Sequence, residues 1–166
     1  MSTEKAVEII KGAILLETRG KAFYKKTAEQ TGSQAVKEFF ENMAMEEDEH
    51  IKILSEQFKS LVSDGTMASV KLSSSASEIS AAVLSEKIKK EIDGAGYEAS
   101  AISAAIAMED KAVSFYSDRA KKTDDPAEKD LYNWLTNWEK GHLNLLMAID
   151  KELQESVWND NQFWPM

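Results

Sequence analysis

Two short stretches carry the residues best suited to chemistry, Glu47-Asp48-Glu49-His50 and Glu139-Lys140-Gly141-His142. His50 and His142 are the only histidines in the chain, and each follows a glutamate by three positions. Residues three apart on a helix share a face, so each Glu-x-x-His pair can grip a metal ion from one side. Each pair also has a glutamate 30 residues upstream of its own, Glu17 before Glu47 and Glu109 before Glu139. Four helices converging with four carboxylates and two imidazoles would build a site for two metal ions. Asp and Glu fill 29 of the 166 positions. Four specified acids at matching distances from both histidines would then arise by chance in about one chain in a thousand, which disfavours coincidence. Carboxylate with imidazole suits iron or manganese and tolerates zinc.

The elements that must position these groups are helical. Prolines are confined to Pro126 and Pro165, and long stretches are rich in Ala, Leu, Glu, Lys and Met. A first helix is expected from Thr3 to Gln30, ended by Thr31-Gly32. Ser33 is the N-cap of a second that runs to about Ser63, where Asp64-Gly65 breaks it. Residues 64–95 change character, with Ser73, Ser74, Ser75 and Ser77 clustered, a short helix expected over Ser85–Ile92, and Asp93-Gly94-Ala95-Gly96 closing the segment. This is too long for a hairpin turn and reads as a crossover between helices 2 and 3 of a four-helix bundle. A third helix is expected over Tyr97–Lys122. Asp125-Pro126-Ala127-Glu128 then supplies N-cap, first-turn proline and first-turn acid for a fourth, which reaches about Ser156. Residues 157–166 form a non-periodic tail whose aromatics, Trp158, Phe163 and Trp164, are expected to pack on the bundle or on a partner chain. The whole chain, 1–166, reads as one domain of two helical hairpins, about 3–63 and 97–156.

The hairpins are a repeat. At an offset of 92, Glu17 matches Glu109, Phe23-Tyr24 matches Phe115-Tyr116, Ser33 matches the capping Asp125, and Glu47 and His50 match Glu139 and His142. On helix 2 the stripe Phe40, Met43, Glu47, His50, Leu54, Gln57, Leu61 faces the core. On helix 4 it is Tyr132, Leu135, Glu139, His142, Leu146, Ile149, Leu153. Helix 1 (Ile10, Ala13, Glu17, Gly20, Tyr24, Ala28) and helix 3 (Ile102, Ala105, Glu109, Ala112, Tyr116, Ala120) each set one carboxylate among small residues that leave room for metals and a small ligand. Tyr24 and Tyr116 are placed to hydrogen-bond carboxylates across the site. Glu46, Asp48 and Glu49 read as solvated surface acids, because the repeat and the stripe both select Glu47. Four ionised carboxylates in one interior would cost several kcal/mol each. Without metal most would be protonated, and two divalent cations remove that cost.

There is no cysteine, which excludes disulfides, thiolate chemistry and iron–sulfur sites in this chain and fits a reducing cytoplasm. A net charge of −9 disfavours nucleic acid and anionic membranes as partners. Neither a signal peptide nor a membrane-spanning apolar run is visible.

A Glu on helix 1, Glu-x-x-His on helix 2, a long crossover, a Glu on helix 3 and Glu-x-x-His on helix 4 resemble the ferritin-like di-iron carboxylate proteins. Within them the chain most resembles the rubrerythrin di-iron domain, in Met108-Glu109-Asp110-Lys111-Ala112-Val113-Ser114-Phe115-Tyr116 and in Trp138-Glu139-Lys140-Gly141-His142-Leu143. The resemblance implies an all-α, ferritin-like antiparallel bundle holding two iron ions as an Fe–O–Fe centre, with manganese or zinc as substitutes. It implies Glu47 and Glu139 as bridging carboxylates, Glu17 with His50 on one iron and Glu109 with His142 on the other. Glu47, Glu139, Tyr24 and Tyr116 would be the catalytic groups. The implied activity is reduction of hydrogen peroxide, or oxidation of Fe(II) with peroxide or oxygen, and the alternative is a non-catalytic metal-binding or storage protein. Rubrerythrins typically add a glutamate three residues after the helix 3 ligand and use it when iron moves on redox change; here that position is Ala112. They also commonly carry a four-cysteine rubredoxin domain, so a cysteine-free chain implies a separate electron-donor protein. By the same analogy a homodimer is expected, and the 64–95 segment is long enough to exchange helix pairs between chains.

Overall fold

In the computed structural model, which describes residues 2–72 and 81–160, the second helix of each hairpin begins at a side-chain cap. The helices are α1 (Thr3–Gln30), α2 (Gln34–Asp64), α3 (Ala81–Glu91), α4 (Tyr97–Lys122) and α5 (Pro126–Asp160). Ser33 Oγ accepts from the Val36 amide at 3.2 Å. Asp125 Oδ1 accepts from the amides of Ala127 and Glu128 at 2.9 and 3.2 Å. The turns before these caps are built alike. Thr31 Oγ1 accepts from the Ser33 amide at 3.1 Å and Thr123 Oγ1 from the Asp125 amide at 3.2 Å, so the repeat extends to the turn chemistry. At the far end of α2, Gly65 takes a left-handed φ of 73° that a side chain would strain, and its amide closes on the Leu61 carbonyl.

The architecture is the expected all-α bundle. α1 packs on α2 and α4 on α5, while α3, inside the crossover, lies against α5 and α2. α3 begins four residues before the expected Ser85, and it docks by burying Leu84 and Ile88 in a cluster with Val36, Phe40, Ile149 and Leu153. Glu91 at its end accepts from the Ala35 amide at 3.0 Å, adding an acid to the N-terminus of α2. Gln57, a polar residue in the α2 core stripe, holds the start of the crossover by exchanging two hydrogen bonds with the backbone of Ala68, at 2.9 and 3.2 Å.

One expectation is corrected. The fourth long helix does not stop at Ser156 but runs to Asp160, so the first residues assigned to the tail are helical. The loop before α4 packs against these last turns. A Cβ at Gly94 would stand 2.7 Å from the Leu153 carbonyl oxygen and 2.9 Å from Val157 Cγ2, so only glycine lets this loop seat on the last turns of α5. Trp158 is half exposed, while Phe163, Trp164 and the serine cluster 73–77 lie outside the described residues. Glu128, the expected first-turn acid of α5, is also buried. Its Oε1 lies 2.7 Å from both Nε and an Nη of Arg119, and its Oε2 accepts from Thr123 Oγ1 at 2.5 Å, tying the end of α4 to the start of α5.

The apolar interior is divided along the bundle. One cluster gathers Phe39, Phe40, Met43, Ile102, Leu146 and Ile149; the other gathers Ile10, Leu54, Leu61, Tyr116, Tyr132 and Leu135. Between them the same core stripes present glutamate and histidine, and that polar layer is the candidate site.

Candidate metal centre

α1 and α4 each bring one carboxylate to the layer, Glu17 and Glu109, and α2 and α5 each bring a Glu-x-x-His pair. All six side chains are at most 4% exposed. They fall into two groups, Glu17, Glu47, His50 and Glu139, and Glu47, Glu109, Glu139 and His142. Within each group, one ligand atom per residue lies within 4.8 Å of all the others. Glu47 and Glu139 belong to both groups, so each has reach toward two ion positions. Nδ1 of His50 stands 3.4 Å from Glu17, 3.6 Å from Glu47 and 3.0 Å from Glu139. Nδ1 of His142 stands 3.5 Å from Glu109, 3.8 Å from Glu47 and 3.3 Å from Glu139.

The tyrosines cross over between the halves. Tyr24 Oη donates to Glu109 and Tyr116 Oη donates to Glu17, so each hairpin's tyrosine holds the other hairpin's lone carboxylate. Their rings are fixed in matching ways, Tyr24 stacked on Phe40 and Tyr116 on Tyr132. One oxygen of Glu17 and one of Glu109 are thereby oriented.

The donor set fits metal ions. Both oxygens of Glu139, Oε2 of Glu109 and Nδ1 of His142 are buried without a hydrogen-bond partner. Native interiors rarely leave such atoms unsatisfied, and here they converge on one place. Electrostatics point the same way. Burial, then the charges of Glu17 and Glu109, push the Glu139 carboxyl up to about 8. Burial alone would depress His50, but contacts with Glu139 and Glu17 override it and raise the imidazole to about 9. His142 rises for the corresponding reason, burial being outweighed by Glu109, Glu139 and Glu46. Burial would raise Glu109, yet His142 holds it below its ordinary range. Metal-free, the layer retains protons at neutral pH; two divalent cations would take their place.

Glu46 is the residue the sequence reading placed wrongly. It is not a solvated acid: its Oε2 hydrogen-bonds Nε2 of His142 and accepts from Trp138 Nε1 at 3.0 Å. Burial would raise its carboxyl, but His142 keeps it low. An ionised acceptor on Nε2 keeps a proton on that nitrogen and leaves Nδ1 as the one that faces the carboxylates and that an ion would take once its proton is displaced. No local spacing marked it, because its partner His142 lies on another helix. The repeat hid it, because the position matching Glu46 is Trp138. Accordingly His50 lacks such a carboxylate. Its Nε2 is buried without a partner, and Trp134 and Trp138 stand edge-on to its ring at 5.5 Å. Asp48 pairs with Lys21 at 2.6 Å on the surface, and Glu49 with Lys52 at 2.9 Å, as ordinary surface acids do.

A cavity of about 380 Å³ opens between α1 and α4, with Glu17, Glu47, Glu109 and Glu139 at its floor and Ala112 in its wall. No helix among the described residues is long and apolar enough to cross a membrane. No curated protein and no solved structure shows a match to the chain. Residues 8–150 match the rubrerythrin family, a span that takes in both hairpins, the crossover and all six residues of the buried layer. The chain belongs to the rubrerythrin family.

Proposed function

We propose that this chain is a dinuclear-iron oxidoreductase that reduces hydrogen peroxide, or oxidises Fe(II) with peroxide or oxygen. The observation that carries the reading is the sharing of Glu47 and Glu139 between two ligand groups, each completed by its own glutamate and histidine. Glu17 with His50 and Glu109 with His142 would each hold one ion, and Glu47 and Glu139 would span the pair. Iron bound there supplies electrons to the oxidant and Lewis acidity. The chain's part is positioning and electrostatics. Glu46 orients His142, Tyr24 and Tyr116 orient Glu109 and Glu17, and the two apolar clusters flank the layer on either side along the bundle. Tyr24 and Tyr116 stay protonated, because burial and the neighbouring carboxylates raise both hydroxyls well above their ordinary range. They can therefore donate hydrogen bonds as charge on the carboxylates changes. A separate redox protein would return the electrons, in the cytoplasm, to a homodimer. Ala112 offers no carboxylate for an ion to move toward, so the reading includes no ligand exchange at that position.

Metal analysis of freshly purified protein, followed by peroxide titration of the anaerobic Fe(II) form, tests this. The expected result is two ions per chain and one peroxide consumed for every two Fe(II) oxidised, with two protons taken up and two waters formed. Two ions per chain with no peroxide-driven oxidation would leave a metal-binding protein and remove the enzyme. Hundreds of ions per assembly would mean storage.

A further inference from the structure

The cavity between α1 and α4 is far larger than the proposed oxidants need. At ~30 Å³ for each water-sized group, peroxide or oxygen would use two such volumes, whereas about 380 Å³ holds a dozen. That volume is in the range of pockets for organic ligands, roughly 300–1,000 Å³. It exists because the residues between the helices are small. Gly12 and Gly20 carry no side chain, and a Cβ at Gly20 would already touch Glu47 Cδ and Met108 Cε at 3.8 Å. Leu15, Leu16, Met108 and Phe115 supply apolar walls, and Leu15 is 49% exposed at the rim.

Charge gives the cavity a direction. Its floor is four glutamates, and two exposed cations, Arg19 and Lys111, border it. They are equivalent under the offset of 92, so both halves of the repeat set a cation beside the opening. Like most lysines among the described residues they form no ion pair; what sets these two apart is their place at the opening. In a chain of net charge −9, two unpaired cations flanking an apolar cavity favour a ligand with one anionic end and an apolar body. The acids at the floor would repel the anionic end inward, and the cations would hold it at the mouth.

We propose that this cavity binds a medium-chain aliphatic monocarboxylate, with the alkyl chain between α1 and α4 and the carboxylate on Arg19 and Lys111. The ligand would cover the carboxylate floor and close the metal layer to bulk water on that side.

Calorimetric titration of the full chain with decanoate below its micellar range, metal-free and zinc-loaded, tests the proposal. One saturable decanoate per chain is expected in both forms. Gly12→Phe projects a ring into the cavity from an exposed helix position, where a Cβ meets only Phe115 Cζ at 3.8 Å. It should weaken decanoate by about tenfold or more. Arg19→Gln with Lys111→Gln should weaken decanoate about threefold to tenfold and leave 1-decanol unchanged. No saturable binding to the wild-type chain overturns the proposal, as does binding that neither variant alters. A Gly12→Phe chain that dissociates a dimer would also overturn it, by assigning the cavity to a second copy. Zinc stoichiometry, measured separately, keeps this result apart from the metal reading. Decanoate binding without zinc binding would uphold the cavity and sink the dinuclear site; the reverse would do the opposite.

Discussion

Raising the pH from 6 to 8 should destabilise the metal-free protein but not the metal-loaded protein. Glu139 is pushed up to about 8 in the fold from an ordinary 4.5, so over this range the unfolded chain has lost a proton that the folded chain keeps. Each pH unit then removes about 1.4 kcal/mol, or about 3 kcal/mol between pH 6 and 8. His50, raised from 6.5 to about 9, contributes stability that is complete below 6.5 and lost as pH climbs toward 9. By pH 8 that adds about 2 kcal/mol of loss. The two shifts share the contact between Glu139 and His50, so their sum overstates the effect, and a net loss of about 3 kcal/mol is expected. For a chain of this size that corresponds to a Tm lower by about 6–12 °C. Glu109 and Glu46 are shifted downward, so their contributions are present above the ordinary carboxylate range and fail only as pH falls through it, outside the window. Bound divalent ions replace the protons and grow tighter as pH rises. Thermal melts of chelator-treated and zinc-loaded protein at pH 6, 7 and 8 should therefore diverge. A metal-free Tm that stays level or rises across this range would refute the account of the buried layer.

Other perturbations separate the roles of neighbouring groups. Glu46→Gln should weaken one of the two ions about 10- to 100-fold in a chelator competition, because His142 loses its charged acceptor; Glu49→Gln, on the surface, should leave both unchanged. Tyr24→Phe and Tyr116→Phe should each remove a hydrogen bond to a carboxylate, costing about 1–3 kcal/mol in urea melts of the loaded protein, and a neutral result in both would show that the ions alone orient Glu17 and Glu109. Glu128→Ala should cost about 1.5–3 kcal/mol by removing the carboxylate that pairs with the buried Arg119 guanidinium, with zinc stoichiometry in the folded fraction unchanged, since this pair joins α4 to α5 away from the metal layer.

The fold was legible because each level of the sequence agrees with the next. Ser33 and Asp125 cap helices that the apolar stripes fill, and the stripes bury the same residues the repeat aligns. The end of α5 was not legible, because its last turns meet the loop at Gly94, a contact distant in sequence and visible only once the chain is packed. Glu128 illustrates the same limit. As a first-turn acid it satisfies a local rule, and its burial against Arg119 and Thr123 depends on how α4 meets α5. The buried glutamate and histidine positions could be found because they interrupt otherwise apolar stripes. Glu46 does not interrupt one; it borders the stripe on α2, and its partner is on α5.

Glu46 also shows where duplication stops. The repeat makes two half-sites with the same ligand types, the same crossing tyrosines and the same caps, which a pseudo-twofold arrangement requires. At the position that supports the histidine, one half has Glu46 and the other Trp138, and the two side chains bond to each other. Nε2 of His142 therefore faces an anion, and the ring of His50 faces two indoles. A carboxylate on Nε2 raises the basicity of Nδ1, and an indole edge does not. Two ions held by matching sets of ligands would then sit in unequal fields. Two-electron chemistry at a symmetric pair has no preferred ion to change first. Here the asymmetry comes from a glutamate and a tryptophan outside the six candidate ligands, and under the proposed function it would supply that preference while leaving all six as the repeat placed them.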